Sequence, residues 1–145
     1  MKEVFDDYST TIYDYNMNSK ASFLNWVIES LENKKKIKVV NDQYNNPTYS
    51  ESLATAIYKS IKKYLNGVVH WADEELIDRY EFSLRIAKTF DLDTNLISPI
   101  SSDELNQIAR RPLKSGLNSK FLSKKINIKP LNLDESLSNI KKKIN

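Results

Sequence analysis

Cysteine is absent from the 145 residues of this chain, and histidine occurs once, as His70. The absence of cysteine excludes disulfide bonds, thiolate metal sites and a cysteine nucleophile, and it suits a reducing compartment. One imidazole without thiolates supplies too few ligands for a zinc site. The sequence therefore indicates no metal site.

Glycine is also scarce, with only Gly67 and Gly116 in the whole chain. A dinucleotide-binding turn needs several closely spaced glycines, because the backbone must approach a pyrophosphate. A P-loop needs at least two glycines in a fixed relation to Lys and Ser or Thr. Neither glycine has such neighbours. We therefore expect no standard nucleotide-phosphate loop in this chain, and we expect the chain to work as part of something larger.

Long apolar runs are missing as well. No stretch reaches the roughly 20 residues that a membrane-spanning helix needs. Residues 1–7 turn acidic where a signal peptide would continue with apolar residues. We therefore expect a soluble, cytoplasmic protein that does not contact a membrane.

Positive charge is concentrated in two lysine runs, Lys34–Lys36 and Lys141–Lys143, while the formal net charge is only +3. Both runs fall near the ends of predicted helices, where cations offset the helix dipole. A nucleic-acid surface would instead spread basic residues over one face, with exposed aromatic residues between them. We expect no nucleic-acid partner.

Apolar residues at 3.6-residue spacing predict four amphipathic helices. The predicted N-caps are Ser19 for the first helix, Thr48 in a capping box with Glu51 for the second, and Asp78 for the third. The second helix is expected to end at Asn66–Gly67. The predicted core faces are Phe23, Leu24, Val27, Ile28 and Leu31; Leu53, Ala54, Ile57, Ile61, Tyr64 and Leu65; Phe82, Ile86, Ala87 and Phe90; and Leu133, Leu137, Ile140 and Ile144.

Strands are few and short in comparison with the helices. The sequence predicts strands at 37–40 and 68–71, a possible strand at 9–13, an extended piece at 96–100, and short helices near 102–104 and 120–122. A complete doubly wound fold needs more strands at shorter intervals. We therefore predict a helix-rich α/β domain over residues 19–145, preceded by a poorly defined segment at 1–18, and we interpret it as the smaller half of an α/β protein.

Few side chains point to catalysis. His70 has no marked nucleophile near it in the sequence, so a structural role is predicted. Tyr58 and Lys62 have a Tyr-x-x-x-Lys spacing, but no glycine-rich turn precedes them. We interpret this pair as an exposed flank of the second helix.

Polar groups in two loops point to binding instead. Arg110 and Arg111 precede a proline, which favours an extended backbone, and guanidinium forks suit phosphate oxygens. Surface ion pairing is the alternative for these arginines. In the turn at 41–48, Gln43 and Asn45 either present their amides to a ligand or close the turn.

Several motifs occur in a characteristic order. The most specific are Asp-Gln-x-x-x-Pro-Thr at 42–48 and Ala-Arg-Arg-Pro at 109–112. The others are Val39-Val40, Leu53-Ala54, Val69-His70, Tyr80-Glu81-Phe82 and Lys129-Pro130. Together they resemble the C-terminal part of the dTDP-4-dehydrorhamnose reductases, a branch of the extended short-chain dehydrogenase/reductase superfamily. The resemblance covers residues 19 to 140.

This resemblance implies the substrate-binding portion of an NAD(P)-binding, Rossmann-type enzyme. It implies that Arg111, with Arg110 beside it, holds the diphosphate of a dTDP-sugar, and that Gln43, Pro47 and Thr48 line the substrate cleft. The family uses NADPH or NADH to reduce dTDP-4-dehydro-L-rhamnose to dTDP-L-rhamnose. Because the glycine turn and a credible catalytic Tyr/Lys pair are absent, we do not expect this chain alone to bind that cofactor or to be active.

The same branch contains non-catalytic members, among them a regulatory subunit of methionine adenosyltransferase. A regulatory or protein-binding module is therefore the alternative to the substrate-binding half of a reductase, whether fragment, split gene product or shortened paralogue. In either case we expect an apolar surface where a Rossmann-domain partner or a second copy docks.

Overall fold

Helices make up most of the regular structure in the computed structural model, which describes residues 11–15, 22–105 and 111–144. The helices in these ranges are α1 (Phe23–Glu32), α2 (Ser50–Lys62), α3 (Arg79–Thr89), α4 (Lys120–Ile126) and α5 (Leu133–Ile144). The strands are β1 (Ile12–Tyr13), β2 (Ile37–Val40), β3 (Tyr44–Asn45), β4 (Thr48–Tyr49), β5 (Ile77–Asp78) and β6 (Ile97–Ile100). This confirms a helix-rich α/β fold with few short strands.

The described strands pair two at a time. β1 pairs with β4 and β2 with β6, both in parallel, whereas β3 and β5 are antiparallel. The longest pair aligns Ile37 with Ile97 and Val40 with Ile100. Two-stranded sheets are marginal by themselves, so helix packing and side-chain hydrogen bonds must stabilise this arrangement.

The main core lies where α1, α3 and α5 pack together against β2. Phe82 of α3 is at its centre, with ring centroids 5.4 Å from Phe23 of α1 and 5.1 Å from Tyr13 of β1. The predicted core face of α1 is fully buried, and that of α3 is buried except for the half-buried Phe90. Each such apolar side chain contributes about 1.5–3 kcal/mol when it is fully buried. Spacing alone therefore identified these faces correctly.

The prediction for α2 is wrong in two respects. Four residues of the predicted face are exposed, namely Ala54, Ile57, Ile61 and Tyr64, and the buried helix residues are Ser52 and Ala56. Helical spacing detects an amphipathic face, but it does not show whether another element covers that face. The helix also ends at Lys62, several residues before Asn66–Gly67, and Tyr64 follows it with a φ of 50°.

The capping box at Thr48 is likewise not formed. Tyr49 is the N-cap of α2, and it provides no side-chain cap. Thr48 belongs to β4, and its hydroxyl donates to the Asn46 carbonyl at 3.0 Å. The predicted cap of α3 is confirmed, because the Asp78 carboxylate accepts from the backbone N–H of Glu81 at 2.8 Å.

The segment 68–71 forms no strand, contrary to prediction, and pairs with no strand of the described chain. Its β-branched residues fit a strand, but no neighbouring strand is available to it there. Residues 102–105 form a turn, and the rest of the helix expected there lies outside the described residues. Ser19 and residues 9–10 also lie outside them.

A buried carboxylate connects distant parts of the chain. Asp73 is 4% exposed, and one of its oxygens accepts from the backbone N–H of Tyr49 at 2.8 Å. The other accepts from the backbone N–H of Leu131 at 3.1 Å and from the Ser52 hydroxyl. Burial raises the pKa of Asp73, and these hydrogen bonds offset part of that rise. Asp73 therefore links the start of α2 to the segment before α5.

We expect Asp73→Asn to lower the free energy of unfolding by about 1–3 kcal/mol, because the new amide NH₂ faces a buried backbone N–H that has lost its acceptor. Urea denaturation measures this. Asp78→Asn is the matched control, since Asn caps helices about as well as Asp, and we expect a change within about 0.5 kcal/mol. An equal decrease in the free energy of unfolding in both variants would contradict the role of Asp73.

Candidate functional site

Two loops that carry predicted site residues are joined by backbone hydrogen bonds. The N–H of Tyr44 donates to the carbonyl of Leu113 at 2.7 Å, and the N–H of Ser115 donates to the carbonyl of Tyr44 at 2.9 Å. These bonds form an isolated parallel bridge between Tyr44 and Lys114. The structure therefore brings the 41–49 turn and the 111–117 segment together, although about 70 residues separate them in the sequence.

Asn46 provides a third connection between these loops. Its side-chain oxygen accepts from the backbone N–H of Leu117 at 2.9 Å, and its amide NH₂ donates to the carbonyl of Asp73 at 3.1 Å. Both the oxygen and the NH₂ group of this buried amide are therefore hydrogen-bonded. The turn is consequently anchored to the 111–117 segment on one side and to the Asp73 region on the other.

Gln43 is buried at the start of this turn. Its amide donates to the Ser102 hydroxyl at 2.8 Å, and that hydroxyl donates to Asp42 at 2.6 Å. The backbone N–H of Ser102 donates to the other oxygen of Asp42 at 2.8 Å. Burial alone would raise the pKa of Asp42, but the two hydrogen bonds from Ser102 outweigh it and lower the pKa. Gln43 is thus held by Ser102, which in turn donates two hydrogen bonds to the Asp42 carboxylate.

Pro47 and Thr48 are also buried, and Thr48 is only 1% exposed. The amide of Asn45 donates to the Thr11 hydroxyl at 2.9 Å, and the N–H of Thr48 donates to the Thr11 carbonyl at 2.9 Å. The Asn45 amide therefore anchors the turn to the residue before β1. Ligand contacts by Gln43, Pro47 and Thr48 remain predictions.

Arg111 lies at the start of the second loop and is half-buried. It stands two residues before Leu113, the first backbone anchor to the turn. Arg110 lies outside the described residues. The exposed Lys114 adds positive charge to the same segment. Guanidinium groups suit phosphate oxygens, and anion binding by Arg111 remains a prediction.

Gly116 allows the two loops to approach closely. A Cβ atom at this position would lie 2.5 Å from the Leu76 Cδ1 atom and 2.9 Å from the side-chain oxygen of Asn46. The same oxygen accepts the hydrogen bond from Leu117. A larger residue would therefore push against an anchor of the loop rather than into open space.

The other residues with possible catalytic patterns are not part of this site. Tyr58 and Lys62 are exposed on α2, with the Lys62 ammonium 5.6 Å from the Tyr58 ring centroid. This confirms that they are an exposed flank of the helix. His70 is exposed as well, and it lines an apolar groove beside α2.

The sequence interpretation missed several residues that shape the site, namely Asp42, Asn46 and Ser102. Asp42 is a fixed position of the Asp-Gln-x-x-x-Pro-Thr motif, so the sequence gave a signal for it, whereas Asn46 stands at a variable position of the same motif. Ser102 gave none, because a serine 60 residues away from Asp42 cannot be paired with it from spacing alone.

The RmlD substrate binding domain family matches residues 10–145 of this sequence. The chain belongs to this family. The motifs at 42–48 and 109–112 predicted a resemblance to the C-terminal part of the dTDP-4-dehydrorhamnose reductases, and this match confirms the resemblance.

Three relatives show how much of a longer protein this chain matches. SpsK, a spore coat polysaccharide biosynthesis protein of Bacillus subtilis, is 27% identical over 81% of this chain and 40% of its own length. The dTDP-4-dehydrorhamnose reductase of Aggregatibacter actinomycetemcomitans is 24% identical over 92% and 48%. A solved structure of dTDP-4-dehydrorhamnose reductase from Bacillus anthracis in complex with NADP superimposes with a TM-score of 0.82 at 25% identity, over 92% and 46%. The chain spans less than half the length of each.

The two glycines do not fit a dinucleotide cofactor. Gly67 has a φ of 96° in an exposed turn after α2, and Gly116 is packed against Leu76 and Asn46. Gly67 follows a helix, and Gly116 lies well after β6, so neither is in a tight turn that joins a strand directly to the start of a helix, where a pyrophosphate binds. In the part of the chain that the structure describes, no helix is long and apolar enough to cross a membrane.

We expect Ser102→Ala to raise the pKa of Asp42 towards its ordinary value, because one of the two hydrogen bonds to its ionised form is lost. An NMR titration of the side-chain carboxyl carbons measures this. A carboxyl with a lowered pKa stabilises the fold above its unfolded-state pKa of about 3.9 and ceases to do so as pH falls through the folded-state value. The stabilising contribution of Asp42 should therefore be smaller in the variant at neutral pH.

Ser101→Ala is the control for this titration, because the Ser101 hydroxyl donates to Glu104 and not to Asp42. The pKa of Asp42 should be unchanged in that variant. An unchanged pKa in Ser102→Ala as well would show that the Asp42–Ser102 contact does not set it.

Proposed function

We propose that this chain binds a dTDP-linked sugar as the substrate-binding half of a dTDP-4-dehydrorhamnose reductase-like protein. The observation that supports this most directly is the hydrogen-bonded junction of the 41–49 turn and the 111–117 segment, which carry the predicted site residues of the family. Membership of the RmlD substrate binding domain family supports the same ligand class.

In this proposal Arg111, together with Arg110, binds the diphosphate. The guanidinium supplies paired N–H donors and a charge that does not titrate at physiological pH. Gln43, Pro47 and Thr48 form the wall of the cleft. Since these three side chains are largely buried, they shape that wall through the backbone of the turn.

Together with a cofactor-binding half, the chain would take part in NADPH- or NADH-dependent reduction of dTDP-4-dehydro-L-rhamnose to dTDP-L-rhamnose. When bound, the cofactor would supply the hydride that reduces the C4 carbonyl of the sugar. The residues of this chain bind and orient the nucleotide-sugar, and the part of the relatives that it does not match supplies the cofactor site.

A non-catalytic, protein-binding role in the same family is the second candidate. It is favoured by the exposed apolar face of α2, which is suited to contact another protein. The two surfaces adjoin each other, because Leu117 of the 111–117 segment also lines the groove beside Ile57 and Ile61.

A thermal-shift titration with dTDP and dTDP-rhamnose tests the nucleotide-sugar site. A ligand that binds only the folded state adds about 2.7 kcal/mol of stability at 100 times its Kd, so the melting temperature should rise. Arg111→Ala should abolish most of this rise. Arg111→Lys keeps the charge but loses the planar fork, and we expect an intermediate rise.

Lys38→Ala is the matched control, since Lys38 is an exposed cation on β2. This variant should keep the full rise in melting temperature. The absence of a rise at millimolar dTDP and dTDP-rhamnose, or an equal rise in Arg111→Ala and wild type, would contradict the proposed site.

A further inference from the structure

Acidic residues are absent from two long segments of this chain. Residues 52–72 and 105–133 contain neither Asp nor Glu, whereas together they carry ten Lys and Arg residues. The remainder of the sequence has 12 basic residues against 19 acidic ones, which gives it a formal charge of −7. The small net charge of +3 therefore conceals a strongly uneven distribution of charge.

The fold packs these two segments against each other. They supply a second, smaller apolar cluster, separate from the core around Phe82, whose buried members are Ala56, Trp71, Leu122 and Ile126. The ammonium group of Lys63, just after α2, also donates to the backbone carbonyl of Lys125 in α4 at 2.8 Å. The described parts of the two segments, residues 52–72 and 111–133, thus form one continuous part of the molecule, which we call the basic region.

Exposed lysines in and beside α2 and α4 carry the charge of the basic region at its surface. They are Lys59, Lys62, Lys63, Lys120, Lys124 and Lys125. None of these lysines forms an ion pair with a residue that the structure describes. Within the lysine run at 141–143, by contrast, Lys141 pairs with Asp91 and Lys143 with Glu51. The charge of the basic region is therefore the less compensated of the two.

The candidate site lies at the boundary of the basic region. The 111–117 segment belongs to this region and leads through two further residues into α4, whereas the 41–49 turn belongs to the acidic remainder. The hydrogen bonds of Tyr44 with Leu113 and Ser115 join the two at this boundary. An anion that approaches the molecule is attracted on the side of the 111–117 segment and repelled by the remainder. The uneven charge therefore favours approach to the site from one side.

We propose that the basic region attracts the diphosphate of the nucleotide-sugar towards the Arg111 segment, and that its lysines accelerate association without touching the bound ligand. The proposal deepens the proposed function and rests on it for the identity of the ligand. Fields of this kind raise association rates by about 10- to 1,000-fold. They are screened over a Debye length of about 30 Å at 0.01 M ionic strength and about 8 Å at 0.15 M. The effect therefore depends on salt.

Stopped-flow fluorescence with dTDP that carries a fluorescent group on its sugar measures association and dissociation separately on the full chain. The test variant combines Lys120→Gln, Lys124→Gln and Lys125→Gln, since Gln forms helices about as well as Lys. Three charges at roughly 20 Å from the diphosphate should change its association rate constant about threefold at 0.01 M ionic strength. We therefore expect a decrease of about threefold that shrinks at 0.15 M. The dissociation rate constant should stay the same, because charges outside the contact act on association.

The matched control combines Lys34→Gln, Lys35→Gln and Lys36→Gln. These three lysines are exposed and lie outside the basic region, so the control has the same net charge as the test variant. Its association rate constant should stay close to that of the wild type. Arg111→Ala should behave differently from both, because the loss of a direct contact raises the dissociation rate constant.

The same test can be made on α2. Lys59→Gln combined with Lys62→Gln removes two charges from the basic region without a change in α4, and we expect a smaller decrease in the association rate constant. This variant replaces the first one if the melting temperature shows that α4 does not tolerate its three substitutions.

A second readout needs no nucleotide. An anionic gadolinium chelate should relax the exposed amides of residues 59–63 and 120–125 in NMR more strongly than a neutral chelate does, and those of residues 73–104 less strongly. Equal relaxation by the two chelates would overturn the proposal, whether or not dTDP binds. So would equal association rates of the two triple variants.

Light scattering at 0.01 M ionic strength completes the test. A dimer that dissociates on addition of salt would also overturn the proposal, because the basic region would then bind the acidic part of a second copy. If the chelates give the expected result but the wild-type chain does not bind dTDP, the proposed function fails, and with it the choice of ligand. The two failures are therefore distinguishable.

Discussion

The buried carboxylate of Asp73 is the contact on which the candidate site depends. Its oxygens accept hydrogen bonds from Tyr49, Ser52 and Leu131, and its backbone carbonyl accepts from Asn46. A buried carboxylate is costly unless its oxygens are satisfied. Satisfying them requires the start of α2, the 41–49 turn and the segment before α5 to converge. The position of the turn is thus a consequence of placing one ionisable group in the interior.

The strands near the site are short, and this explains how the two site loops are held. Strands of two residues contribute little by themselves, and the loops are instead joined by the backbone bonds of Tyr44 and by the side chain of Asn46. Gly116 is needed because the contact brings backbone against a side-chain oxygen that already accepts a hydrogen bond. The relative position of the two loops therefore depends on a few polar side chains and not on sheet register.

The sequence allowed the prediction of those features that depend on local periodicity or on a local motif. The core face of α1 and the Asp78 cap were predicted because both are properties of consecutive residues. The burial of Ile61 and a strand at 68–71 were predicted wrongly, because both depend on whether a partner element is present. The contact of Asp42 with Ser102 could not be predicted, since it joins residues 60 positions apart. The motif indicated where a candidate site lies, and only the structure showed how its loops are anchored.

Helix α2 connects the two surfaces that we assign to binding. Its N-cap Tyr49 and its first-turn Ser52 bind Asp73, so its N-terminal end is part of the framework of the site. Its apolar residues lie farther along, with Ile61 roughly 18 Å from Tyr49 at about 1.5 Å per residue. A protein that contacts Ile57 and Ile61, as in the second candidate function, would therefore touch the helix whose N-terminal end supports the 41–49 turn. The two surfaces also meet directly, because Leu117 of the 111–117 segment lines the groove beside Ile57 and Ile61.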